Sequence, residues 1–141
     1  MTEMEILLDS LNGIYEKVPA FECRDGCSDC CGPVDWPPIE GYNIMQYLKK
    51  HDIEPRMTII KGIEDLCPYW EGKCIIYPVR PLICRQYGVS DMHFLKCPHI
   101  NPEWEMPLAE VKELNKELRL LDLAFRRVAR VDATDLVRPP R

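Results

Sequence analysis

"CRDGCSDCC", residues 23–31, places four of the eight cysteines of this chain in one short run. Its spacing is C-x3-C-x2-C-C. Thiols two to four residues apart can turn their sulfurs toward one point from a single loop, the spacing that tetrahedral zinc and iron–sulfur sites use. The closing pair, Cys30 and Cys31, argues against a local disulfide. Neighbouring Cα atoms are about 3.8 Å apart across a trans peptide, whereas an unstrained disulfide wants roughly 4.4 Å or more. In extended chain the two side chains also diverge. One is expected to ligate while the other faces a second site or packs as a buried thiol. Around the run, residues 19–38 hold Gly26, Gly32, Pro33 and Pro37-Pro38 with no hydrophobic period. Regular backbone pairing cannot fix such a loop, and a bound metal can.

Helices are expected on either side of this loop. In residues 4–18, Ile6, Leu7, Leu11, Ile14, Tyr15 and Val18 recur at helical spacing, with Gly13 working against it and Pro19 ending it. "PIEGYNIMQYLKKH", 38–51, has proline and Glu40 in its first turn and Lys49, Lys50 and His51 in its last, the order the helix dipole favours. Residues 54–65 suggest a shorter helix, opposed by Gly62 and the β-branched Thr58-Ile59-Ile60. "YWEGKCIIY", 69–77, reads as a short hairpin about Glu71-Gly72, and Arg80 to Tyr87 as one or two helical turns. The strongest helix is 107–130, where Leu108, Val111, Leu114, Leu118, Leu121, Phe125 and Val128 repeat every three or four residues. The expected protein is mainly α: one small helical domain over 1–130 with irregular Cys-rich metal-binding loops and a short hairpin, then a loose tail over 131–141.

The remaining thiols, Cys67, Cys74, Cys84 and Cys97, are spread over a longer stretch further along the chain. Eight thiols fill two four-cysteine sites, or one site with spares. Cys67-Pro68 and Cys97-Pro98 share the Cys-Pro ending of one ferredoxin pattern. His99 is a minor further candidate. Arg80 and Arg85 flank Cys84 as candidate cofactor-binding residues, because guanidinium offsets the negative charge of a thiolate site. The competing reading for Arg85 is a salt bridge to a carboxylate. Trp36, Trp70 and Trp104 read as core anchors, and Tyr77 as core.

A formal net charge of -5 lacks the basic stripe of a nucleic-acid surface. No run is apolar enough to cross a bilayer. The N-terminal stretch carries Glu3, Glu5 and Asp9 and no basic region, unlike a secretory signal. The expected compartment is the cytoplasm, where thiols stay reduced and crowded cysteines point to metal or catalysis rather than cross-links. No Ser-His-Asp arrangement, phosphate loop or HExxH marks a catalytic residue. The expected partner is a redox or assembly protein, with neither nucleic acid nor membrane.

In order, C-x3-C-x2-C-C, then "CPYW", then "GKCIIYPVRPLICR", then a last cysteine resembles the YkgJ-type cysteine-cluster family over residues 23–97. The match runs through Cys23, Cys27, Cys30 and Cys31, then Cys67-Pro68, then Cys74, Ile76, Tyr77, Arg80, Pro81, Cys84 and Arg85, ending at Cys97. It departs after Arg85, where Gln86-Tyr87-Gly88 replaces the aromatic residue and proline often found there. Members are described as zinc- or iron-chelating domains, or as iron–sulfur-cluster proteins. The resemblance therefore implies metal held by the eight cysteines. It favours a [4Fe–4S] cluster with a redox or electron-transfer role, since the crowded run is unlike the paired C-x2-C knuckles of common zinc folds. The alternative is a zinc-stabilised binding or adaptor domain without catalytic activity.

Overall fold

A computed structural model describes residues 1–19, 35–56, 67–90, 95, 97 and 105–130. Helix α1 (Glu3–Glu16) begins at a capping box. Thr2 Oγ1 accepts the Glu5 N–H at 3.1 Å, and Glu5 Oε2 accepts the Thr2 N–H at 2.7 Å. Two of the first turn's orphan donors are thereby satisfied. Thr2→Ala is expected to cost about 1 kcal/mol of stability, read as a lower thermal midpoint.

Helix α2 (Pro38–Lys50) starts with proline in its first turn and carries Lys49 and Lys50 in its last, as the sequence order predicts. It ends with Asp52 in the left-handed region at φ 57°, a conformation Asp tolerates better than most residues. The expected helix over 54–65 is absent at 54–56, and the rest of it lies outside the described residues. A 3-10 turn (Tyr77–Val79) leads into the short helix α3 (Leu82–Gln86), so the stretch after Cys74 is two short helical pieces separated at Arg80-Pro81. Helix α4 (Leu108–Ala129) completes the fold. The protein is mainly helical, and the hairpin reduces to one antiparallel bridge between Trp70 and Cys74 around Gly72, whose φ is +75°. That backbone angle is why glycine stands at the turn.

Two apolar clusters organise these elements. In the first, Leu11, Ile14, Tyr15 and Val18 of α1 and its exit meet Ile39 of α2, Leu82 of α3 and Val111, Leu114, Leu118 and Phe125 of α4. Spacings of three, four and seven along α4 put its buried side on one stripe. The same periodicity overreaches at the ends: Leu108 and Val128 are exposed. The second cluster joins Trp36, Ile44, Leu48, Tyr69 and Ile76, with Cys67 and Cys74 packed against it. Helix α2 is the wall between them, giving Ile39 to one side and Ile44 and Leu48 to the other.

Both clusters are tied to the cysteine segments by polar contacts. Tyr69 Oη accepts the Arg56 N–H at 2.8 Å, Arg56 Nη1 donates to the Pro68 carbonyl at 2.9 Å, and Arg56 pairs with Glu71 at 2.6 Å. Asp122 of α4, itself buried, accepts the Ile39 N–H at 2.9 Å and so holds the start of α2. Arg126 Nε lies 2.8 Å from the other oxygen of Asp122 as an ion pair, although its N–H is not directed as a hydrogen bond.

Candidate metal centre

Cys67, Cys74, Cys84 and Cys97 are each half-buried, and none is in a disulfide. Cys23, Cys27, Cys30 and Cys31 lie outside the described residues, as do His99 and Trp104. Cys67 sits at the start of the bridged turn and Cys74 at its close, so one short loop carries both. Cys84 comes from the middle of α3. Cys67 and Cys74 lie near enough to Cys84 to act on it. Burial pushes the Cys84 thiol up to about 12, and the neighbouring Cys67, Cys74 and Glu40 push in the same direction, against Arg80. Burial also raises Cys67, opposed by the Tyr69 backbone N–H directed at its sulfur.

Such a set fits a thiophilic cation. Without one, Cys84 keeps its proton at neutral pH, because lost solvation and the neighbouring Cys67, Cys74 and Glu40 outweigh the opposing charge of Arg80. A bound cation supplies the missing charge and displaces the proton. Cys67, Cys74 and Cys84 are the described residues that would hold it. They do not close a site by themselves: among the described residues, no group of three or more His, Cys, Asp and Glu is arranged to grip an ion.

Two candidate cofactor residues have well-defined surroundings. The Arg80 guanidinium stacks on the Tyr77 ring at 3.7 Å from its centroid, and Arg80 Nε donates to the Tyr77 carbonyl at 3.0 Å. Its charge still favours the Cys84 thiolate. Arg85 stacks on Tyr15 at 3.8 Å and donates to the carbonyls of Arg80 at 2.7 Å and Pro78 at 2.9 Å. Arg85 thus clamps the turn before Cys84. Tyr77 is not core: it is 45% exposed, because it serves as the outer platform for Arg80. Of the tryptophans, Trp36 is buried as expected.

Sequence reasoning missed the group that fixes α3. Glu40, assigned only a dipole role, is 1% exposed. Its Oε2 accepts the Tyr15 hydroxyl at 2.5 Å and the Leu82 N–H at 2.6 Å. One carboxylate oxygen therefore joins α1, α2 and the first residue of the Cys84 helix. Burial pushes Glu40 up to about 7, against the lowering effects of Tyr15, the Leu82 N–H and Arg85. The only signal for this role in the sequence was a carboxylate on the apolar-flanked side of α2, which is indistinguishable there from an ordinary first-turn acid.

A family model described as "Putative zinc- or iron-chelating domain" matches residues 22–106, more than half of the chain. The chain belongs to the CxxCxxCC family. Neither the curated proteins nor the solved structures contain a match. Both sides of the CxxCxxCC domain, the 23–31 run and the block from Cys67 to Cys97, fall inside the matched span. Within that span, Cys67 and Cys74 lie close enough to Cys84 to raise its thiol. No helix among the described residues is long and apolar enough to cross a membrane.

Proposed function

We propose that this CxxCxxCC domain carries an iron–sulfur cluster and works as a one-electron redox protein. The observation that carries the reading is the proximity of Cys67 and Cys74, packed against an apolar cluster, to the Cys84 thiol, with the Arg80 charge also acting on Cys84. Thiolates are the ligands of such clusters, and burial together with nearby positive charge sets their potential. Cys67, Cys74 and Cys84 would be ligands, completed from Cys23, Cys27, Cys30, Cys31 or Cys97. The cluster would supply electron storage. The chain would supply enclosure by Trp36, Tyr69 and Ile76 and charge compensation by Arg80. Tyr77 and Ile83, both exposed beside the thiol segments, offer an apolar edge to a protein redox partner in the cytoplasm.

Protein purified without oxygen is expected to contain iron and acid-labile sulfide in near-equal amounts and to show broad visible absorption that bleaches on reduction. Zinc without sulfide, and no colour after anaerobic reconstitution with iron and sulfide, would replace this reading with a zinc-held adaptor domain.

A further inference from the structure

Helix α4 turns one apolar stripe to the core and leaves a second, mixed stripe facing out. Leu120 and Leu123 are 59% and 47% exposed. Around them stand the exposed cations Lys116, Arg119 and Arg127, with Arg130 at the C-cap. Steps of three and four place these residues on one side of the helix, away from the buried Val111, Leu114, Leu118 and Phe125. The four cations have no ion-pair partner among the described residues. The acids of the same stretch are engaged elsewhere: Glu117 pairs with Lys17 at 3.1 Å, and the buried Asp122 with Arg126 at 2.8 Å. Cations alone are ordinary on a solvated helix face. Two leucines ringed by them match the apolar centre and charged rim of a protein contact.

The complement of this stripe lies on the same chain. Helix α1 carries Glu3, Glu5, Asp9 and Glu16 and no Lys or Arg. Ile6, Asp9, Gly13 and Glu16 recur at helical spacing on its outward side, away from Leu11, Ile14 and Tyr15, and Ile6 is 50% exposed. Asp9 and Glu16 also lack an ion-pair partner among the described residues. Glycine weakens a helix interior, and no close approach within the chain calls for it here: a Cβ at Gly13 would meet nothing within 4 Å. The outward side of α1 therefore has a notch, with a carboxylate about one turn away on either side. Leu123, with Arg119 and Arg127 each about one turn away, has the matching spacing.

We propose that the outward face of α4 docks on the outward face of α1 in a second copy of this chain, with Leu123 over Gly13 and Arg119 and Arg127 paired with Asp9 and Glu16. The inference is independent of the metal reading. With a formal net charge of -5, a second copy is an anionic partner for this cationic stripe. A single helix laid on another buries less than a standard interface, so the contact is transient and sensitive to salt.

The test is sedimentation velocity of full-length protein in reductant, which prevents intermolecular disulfides, at about 0.01 M and about 1 M salt. At low salt the mass is expected to rise with concentration above that of the monomer, and at high salt to fall back. Arg119→Glu/Arg127→Glu and Asp9→Lys/Glu16→Lys are each expected to self-associate at least about 10-fold more weakly. Mixed one to one they should associate again, because each retains the face that the other has lost. Gly13→Gln, a better helix former in open space, is expected to melt at a higher temperature yet associate more weakly. Wild-type protein that stays monomeric at low salt overturns the proposal, and so does a mixture that stays monomeric while circular dichroism shows both variants folded. Association that survives the α1 reversal also overturns it, and would leave α4 facing some other acidic surface.

Discussion

Cys84→Ser is expected to abolish stable metal binding. Burial and its two cysteine neighbours raise the Cys84 thiol to about 12. It holds its proton until a cation replaces it, so the metal and this side chain depend on each other. Serine is close in size but is a poor ligand for soft metal ions. The loss should therefore exceed the roughly 10–100-fold that removing an outer-shell partner costs. The metal-free fold should survive, since Leu82 and Gln86 rather than Cys84 are the buried anchors of α3. Metal per chain after desalting is the measurement, with circular dichroism of the metal-free variant as the control for folding. Wild-type metal content in folded Cys84→Ser would exclude Cys84 from the ligand set.

The second large effect falls on stability. Glu40→Ala leaves the Tyr15 hydroxyl and the Leu82 N–H buried without their acceptor. At roughly 1–3 kcal/mol for each stranded group, the expected loss is about 4 kcal/mol. Glu40→Gln keeps a carbonyl oxygen at the junction and should lose far less. The two variants also separate in their response to pH. An acid raised from 4.5 to about 7 holds its proton more tightly in the folded state than in the unfolded one. Its contribution is complete below the unfolded value of 4.5 and is lost as pH rises to about 7. Integrated over that window, the loss is about 3 kcal/mol.

The groups facing Glu40 are Tyr15 from α1, Arg85 and the Leu82 N–H from α3, and Asp122 from α4. Tyr15 is itself raised far above its ordinary value by burial and by Glu40, and stays protonated throughout. Denaturant melts at about pH 5 and about pH 8 should show wild-type stability falling relative to Glu40→Gln as pH rises. Parallel curves for the two proteins would mean that Glu40 does not titrate in this window. The penalty of Glu40→Ala should likewise be greatest at the acidic end.

The junction also has a consequence for the metal centre. Glu40 fixes the first residue of α3, and Arg85 clamps the turn before it through two carbonyls and the Tyr15 ring. Cys84 therefore projects from a short helix held at both ends by long-range contacts. A five-residue helix has too few internal hydrogen bonds to hold its own position. If Cys84 is a ligand, preorganising it in this way would lower the ordering cost of metal binding.

By itself the sequence determined the helices and the class of chemistry. Proline at the start of α2, basic residues at its end and the three-four spacing of α4 are local signals, and a helix responds to local signals. The cysteine spacing likewise carried the membership in a metal-chelating family, because chelation from one loop depends on short separations. Only the tertiary structure decided which residues serve the site from afar. Glu40 meets Tyr15 and Leu82 across 25 and 42 residues of chain. Tyr77 turned outward with Arg80 stacked over it, and Trp36 turned inward into the second cluster. Burial and hydrogen-bond partnership are properties of the packed neighbourhood, and no spacing within a single segment encodes them.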